Sequence, residues 1–197
     1  MRVLLVSHTV LSTTGNMGKT LKAYLSSFSS GEVAQFYIHS EVPTDDAVCL
    51  DYYRFTDVDA LKSILLRNRQ GTCFNQKDIR TDLSTTRVDT GLTGSLYHAG
   101  GRRGCLTMSL RELVWLFGKW NTPGFQKWMT DMAPDVILYA AGDYMFSYRI
   151  ARKISRTLQK PLALVCVDDF YFYNRNHSSI LGRILYRFYM REVHRTM

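Results

Sequence analysis

The sequence predicts an α/β fold, a Rossmann-like open twisted, mostly parallel sheet with helices on both faces. Three observations carry this. The chain opens on a short unbroken apolar run, Val3, Leu4, Leu5 and Val6, which reads as a strand buried on both faces. That run leads through a turn bearing Gly15 and Gly18 into a segment of helical spacing. Strand-like apolar runs then alternate with amphipathic stretches along the rest of the chain. With 197 residues and 46% apolar content the chain can bury a sizeable core, so a single domain, 1–197, is expected.

Taken in order, the first helix ends near Ser29, Ser30 and Gly31, and 33–39 reads as a second strand with mixed alternation. Pro43, Asp45 and Asp46 mark a loop, and 48–55 is a third strand rich in Tyr and Phe. Thr56 or Asp57 caps a helix reaching about residue 68, through Val58, Leu61, Ile64 and Leu65, so that three strand–helix units are expected in succession. A glycine-rich insertion at about 70–108 breaks the rhythm, with five glycines between Gly91 and Gly104 and the basic run Gly101-Arg102-Arg103-Gly104. It reads as a mobile insertion or as a loop folding over an acidic or phosphorylated acceptor, with His98 a solvated loop residue.

Two helices follow, 109–117 and 121–132, broken at Asn121-Thr122-Pro123-Gly124. They hold all three tryptophans, Trp115, Trp120 and Trp128, together with Leu113, Leu116, Phe117, Phe125 and Met129; core packing accounts for most of this stripe, and an aromatic face toward a membrane or lipid-linked substrate is the rival. A fourth strand, 136–141, ends at Gly142-Asp143, where Asp143 reads as the N-cap of a helix over 144–158. A fifth strand, 161–167, delivers Asp168 and Asp169 at its carboxyl end. The closing segment, 178–194, is an amphipathic helix with Arg183, Arg187, Arg191 and Arg195 in one stripe and Ile180, Leu181, Ile184, Leu185 and Phe188 on the other side.

Charge and cysteine usage narrow the function classes. The net charge of +8 is uneven, since 151–197 holds nine Lys or Arg against Asp168, Asp169 and Glu192, which favours an anionic partner. Arg183, Arg187 and Arg191 beside an apolar stripe suit either plain solvation or an anionic membrane surface. Nucleic acid is not expected, because no recognition motif or stacking platform accompanies the charge. Cys49, Cys73, Cys105 and Cys166 are widely spaced without a C-x-x-C pair, so neither a zinc site nor a disulfide framework is expected. No apolar window is long enough to span a membrane and no signal peptide opens the chain, so a cytoplasmic location is expected.

The chemistry-bearing candidates gather at strand ends. Backbone N–H groups around Gly15, Asn16, Met17 and Gly18 can approach an anion, a phosphate above all, although two glycines also serve turn geometry alone. A dinucleotide fingerprint is absent for want of a third glycine. A P-loop stays open as an alternative: Gly18, Lys19 and Thr20 fit its end, while Thr13 occupies its first glycine position. In open α/β sheets ligands bind outside the carboxyl ends of the strands, so Asp143, Asp168, Asp169 and the glycine turn are expected to face one crevice.

Laid together, the run Arg2-Val-Leu-Leu-Val, the turn from Thr14 to Leu21, the stretch Tyr52-Tyr53-Arg54-Phe55-Thr56-Asp57, Pro134-Asp135-Val136-Ile137-Leu138 and Asp168-Asp169-Phe170-Tyr171 resemble the N-terminal half of a bacterial family 4 glycosyltransferase of the GT-B fold. The resemblance covers most of the chain outside the glycine-rich insertion. It implies an acceptor-binding half whose donor-binding partner domain, with the family's Glu-x7-Glu signature, lies beyond Met197, so that this half is inactive by itself. It further implies a nucleotide-sugar donor, a glycan or lipid-linked acceptor, no metal or other cofactor, and work in cell-surface or capsular polysaccharide synthesis at the inner membrane face. Gly15, Asn16, Met17 and Gly18 inherit contact with the donor diphosphate. Asp168 stands where the family often has His, and Asp169 matches its Asp, so these two are the catalytic candidates. Asp143, Arg183, Arg187 and Arg191 fall to the acceptor or membrane side. The rivals are a P-loop-like nucleotide hydrolase and a non-catalytic membrane-surface module.

Overall fold

A computed structural model describes residues 1–13, 15–44, 47–65, 70–75, 105–166 and 179–197. The chain is α/β, built on a six-stranded sheet in the order β4-β3-β2-β1-β5-β6. The strands are β1 (Val3–Ser7), β2 (Val33–Tyr37), β3 (Cys49–Arg54), β4 (Thr72–Asn75), β5 (Val136–Ala141) and β6 (Leu162–Cys166). All neighbours run parallel except β3 and β4, which pair antiparallel. The helices are α1 (Asn16–Tyr24), α2 (Asp57–Leu65), α3 (Cys105–Phe117), α4 (Pro123–Met132), α5 (Met145–Leu158) and α6 (Ile180–His194).

β1 is buried along its whole length because helices and loops cover both of its faces. Side chains alternate across a strand. Val3 and Leu5 therefore join Leu21 of α1 and Leu25 at its C-cap on one face. Leu4 and Val6 join Ala60 of α2, Trp115 of α3, Phe125 of α4 and Phe146 of α5 on the other. That second face is aromatic: Phe125 lies 4.8 Å from Phe36 between ring centroids, and Trp115 stacks on Phe146 at 4.6 Å. Trp115 and Trp120 are buried and Trp128 joins the same cluster, so the tryptophans serve the core.

Local chemistry sets several boundaries. Thr122 caps α4, its hydroxyl accepting from Phe125 N, with Pro123 in the first turn where its missing N–H costs nothing. Ser179 caps α6 by accepting from Gly182 N. At the start of α2, Asp59 Oδ2 accepts from Thr56 N and from Thr56 Oγ1, while Asp59 N donates back to Thr56 Oγ1, a reciprocal cap that closes the turn after β3.

Four expectations need correction. Among the described residues no helix separates β2 from β3, so the opening pattern is not three consecutive strand–helix units. Within the stretch read as a glycine-rich insertion, Thr72–Asn75 forms the edge strand β4, and α3 begins at Cys105; the rest of that insertion, with His98, lies outside the described residues. The N-cap of α5 is Tyr144, not Asp143, and Glu112 of α3 supplies the carboxylate at that helix start. Finally, α6 buries Gly182, Tyr189 and Val193, whereas Ile180, Leu181, Ile184 and Phe188 are exposed. Tyr189 explains that choice: its hydroxyl hydrogen bonds Tyr148 and donates to Gly142 O, so a tyrosine face docks on the core and the isoleucines share the solvent side with the arginines instead of lying opposite them.

Asp51 on β3 gives a pH test of the packing between β3 and α4. Burial pushes its carboxyl above the ordinary aspartate value, and the hydrogen bond that Trp128 Nε1 donates to Oδ1 at 2.8 Å works the other way. A carboxyl raised on folding contributes stability below its unfolded value and loses it as pH rises through the folded value. Asp51→Asn keeps the acceptor and removes the charge. Urea unfolding is expected to find the variant more stable at pH 7, with the gain vanishing below the ordinary value of 3.8; a loss of stability at neutral pH would contradict this.

Candidate functional site

Chain order places the site. β1 passes through α1 to β2 on one side, and β5 passes through α5 to β6 on the other, so the direction of the sheet reverses between β1 and β5. A crevice opens at such a switch point, outside the carboxyl ends of the strands. The glycine turn follows β1 and Gly142-Asp143 follows β5, so both come after strands that end at this edge. Asp168 and Asp169 lie outside the described residues, two and three positions after the end of β6.

The loop from β1 to α1 is held from beneath by one buried amide. Gln35 of β2 accepts from Leu11 N at 2.9 Å and donates from Nε2 to Ser7 Oγ at 2.7 Å and to Thr9 O at 2.9 Å. Val10 and Leu11 are thereby drawn into the core. The two glycines then prove unlike. Gly18 is buried in the first turn of α1, and a Cβ there would lie 2.6 Å from Val10 O and 2.8 Å from Ser12 N. Its missing side chain lets α1 close onto its own loop. Gly15 is the N-cap, its N–H donating to Ser12 Oγ at 3.1 Å, and a Cβ there would meet only Ser12 at 3.8 Å.

Two helix N-termini flank the crevice, and they differ in occupancy. At α5 a carboxylate is already in place: Glu112 of α3 accepts from Phe146 N at 3.2 Å and forms an ion pair with Arg149. Burial pushes the Glu112 carboxyl up, while Arg149 and the backbone N–H groups of Phe146 and Met145 pull it down. This carboxylate from a distant helix does the work expected of Asp143, which is half-buried one residue before the cap. At α1, by contrast, the N-cap is Gly15, which has no side chain to cap with, and no side-chain acceptor for Asn16, Met17 or Gly18 N is found among the described residues. A helix start of this kind attracts anions.

Around the same edge stands a polar cluster that sequence reading missed. Asp57, at the start of α2, accepts from Arg111 Nε at 2.9 Å and from Trp115 Nε1 at 2.6 Å. Arg111 reaches on through Nη2 to His8 Nε2 at 2.8 Å, and its guanidinium lies 4.0 Å above the Tyr144 ring. His8 stacks on Tyr144 at 5.2 Å and meets His39 edge-on at 5.9 Å. A guanidinium has no acceptor, so His8 Nε2 must be the unprotonated nitrogen and Nδ1 carries the proton. The arrangement is a carboxylate, a guanidinium and an imidazole in series, spread over the ends of β1, β2 and β5, the start of α2 and the middle of α3. His8, Asp57 and Arg111 are far apart in the chain, so no local pattern announces them.

Arg183, Arg187 and Arg191 do not join this site. They lie on the solvent side of α6, away from Tyr189, which faces β5. A separate cleft of about 420 Å³ is lined by Arg149, Arg152, Lys153, Arg156 and Thr157 of α5. Glu112 and Glu192 already pair with its first two arginines. Among the described residues no group of three or more His, Cys, Asp or Glu is placed to hold a metal ion, and no helix is long and apolar enough to cross a membrane. No family model, curated protein or solved structure matches the chain.

The glycines provide a test of this geometry. Gly18→Ala drives a Cβ into backbone atoms and is expected to cost about 1–3 kcal/mol in urea unfolding. Gly15→Ala sacrifices a favoured N-cap residue and is expected to cost at most about 1 kcal/mol. Equal tolerance at both positions would contradict the close approach of α1 to its loop.

Proposed function

We propose that the chain is the acceptor-side, Rossmann-like half of a sugar-nucleotide-dependent glycosyltransferase of polysaccharide synthesis. The observation that carries the reading is the pairing, at one switch point, of an α1 N-terminus whose N-cap is Gly15 with the Asp57–Arg111–His8 series. Together they make a mouth rich in hydrogen-bond donors and positive charge, with Asp57 committed to orienting Arg111. Such a mouth suits a phosphate-bearing ligand.

In transfer, the acceptor hydroxyl oxygen bonds to the anomeric carbon as the bond from that carbon to the diphosphate oxygen breaks. The electron pair leaves with the nucleoside diphosphate. N–H groups of Asn16, Met17 and Gly18 and the Arg111 guanidinium stabilise that departing charge. His8, stacked on Tyr144 and donating through Nδ1, orients the reacting groups. The hydroxyl proton passes to a carboxylate, for which Asp168 and Asp169 are the candidates.

The P-loop alternative is less well supported. Gly18 sits inside α1 and packs against Val10 and Ser12 instead of lining an open loop, and no described glycine has a positive φ. A phosphate-cradling loop needs successive N–H groups turned toward the ligand from an irregular backbone.

Transfer assays on the full-length gene product with labelled UDP-, GDP- and dTDP-sugars test the proposal. Release of the nucleoside diphosphate with sugar transferred to a glycan or lipid-linked acceptor is the expected outcome. Arg111→Ala is expected to lower kcat/KM by about a hundredfold, the scale of one lost donor to a developing anion. Magnesium-dependent ATP hydrolysis abolished by Lys19→Ala, with no transfer from any sugar donor, would overturn it.

A further inference from the structure

The reversed seating of α6 leaves an apolar surface in solvent beside a row of arginines. Ile180 is 70% exposed and Phe188 51%, with Ile184 between them one turn from each. α3 extends the same chemistry: it buries Glu112 and Trp115 and turns Leu110, Leu113 and Phe117 outward, Leu110 and Phe117 each 64% exposed. The two helices meet at their N-terminal ends, where Cys105 Sγ lies 3.7 Å from Ser179 Oγ. Their outward faces therefore belong to neighbouring helices of one layer. Exposed apolar side chains grouped at helical spacing on adjacent helices mark a docking surface, whereas isolated ones do not.

Charge identifies the occupant. Arg183, Arg187 and Arg191 are all exposed and run along α6 at steps of four, beside Ile180, Ile184 and Phe188. A nucleic acid would engage the arginines and leave the leucines in water. A second copy of the chain would cover the leucines and bring two arginine rows together, a like-charge juxtaposition that costs several kcal/mol. A lipid surface carrying negative headgroups satisfies both parts, with the apolar side chains entering the acyl boundary and the guanidiniums remaining among phosphates.

We infer that the outward faces of α3 and α6 form a docking surface for an anionic lipid bilayer, in which Leu110, Leu113, Phe117, Ile184 and Phe188 insert and Arg183, Arg187 and Arg191 bind headgroups. The surface is distinct from the switch-point mouth, and the inference holds whether or not the catalytic reading does.

Co-sedimentation with vesicles tests it. The full chain is expected to pellet with phosphatidylcholine vesicles containing phosphatidylglycerol at about one quarter of the lipid, to stay in solution with pure phosphatidylcholine, and to be released by high salt. Reversing Arg183, Arg187 and Arg191 to Glu is expected to weaken binding at least about a hundredfold, at roughly fivefold for each positive charge removed. Ile184→Ser with Phe188→Ser is expected to weaken binding at low and high salt alike. Both variants remove exposed side chains, and far-UV circular dichroism checks that they keep the fold. Wild-type protein that ignores anionic vesicles overturns the inference, as does binding unchanged in either variant. A dimer in sedimentation velocity that the Ile184→Ser and Phe188→Ser variant abolishes, without vesicle binding, assigns the surface to a second copy and also overturns it.

Discussion

The burial of β1 on both faces is the constraint from which the rest of the molecule follows. A strand with no solvent-facing side must be apolar or have its polar groups paired, must be flanked by two other strands, and must be covered above and below. Val3–Ser7 meets these conditions: Val3 to Val6 are apolar, the Ser7 hydroxyl is paired with Gln35 and Thr9, and β2 lies on one side and β5 on the other. Because α1 returns the chain to β2 on one face and α5 carries it from β5 to β6 on the other, the two connections diverge from this strand. The crevice between them is a consequence of that divergence.

What the crevice can do is set by how polar groups near β1 are disposed of. Gln35 sits fully inside the sheet, and its amide is worth its burial because Leu11 N, Ser7 Oγ and Thr9 O use it. The amide fixes the path of the loop, and Gly18 lets α1 settle onto that path. Across the switch point, Glu112 closes the start of α5 and ties α3 to it through Arg149. One N-terminus is thus filled by the protein's own carboxylate, while at the other the N-cap is Gly15, which has no side chain.

Local sequence spoke clearly wherever local chemistry decides the outcome. The apolar run at β1, the glycine turn, Thr122 with Pro123, and the apolar strand β5 each announce themselves within a few residues. The rest depends on partners distant in sequence. Asp143 has the side chain of an N-cap, yet Glu112 arrives from α3 and takes that duty. α6 has an apolar stripe that periodicity would bury, yet tyrosines with hydrogen-bond partners at Tyr148 and Gly142 hold the opposite side against the core. β4 is four residues long and lies at the sheet edge, too short to show alternation. His8, Asp57 and Arg111 assemble only because β1 ends and α2 begins at the edge that the middle of α3 crosses, so this part of the candidate site carries no motif.

The central claim is that the switch point beside β1 receives a phosphate-bearing ligand. Amide-resolved NMR during titration with UDP addresses it most directly. Shifts are expected to concentrate at the amides of Asn16, Met17 and Gly18 and at His8 and Arg111, with α5 beyond Arg149 unmoved. Shifts confined to the basic cleft of Arg152, Lys153 and Arg156, or an unchanged spectrum at saturating nucleotide, would contradict it.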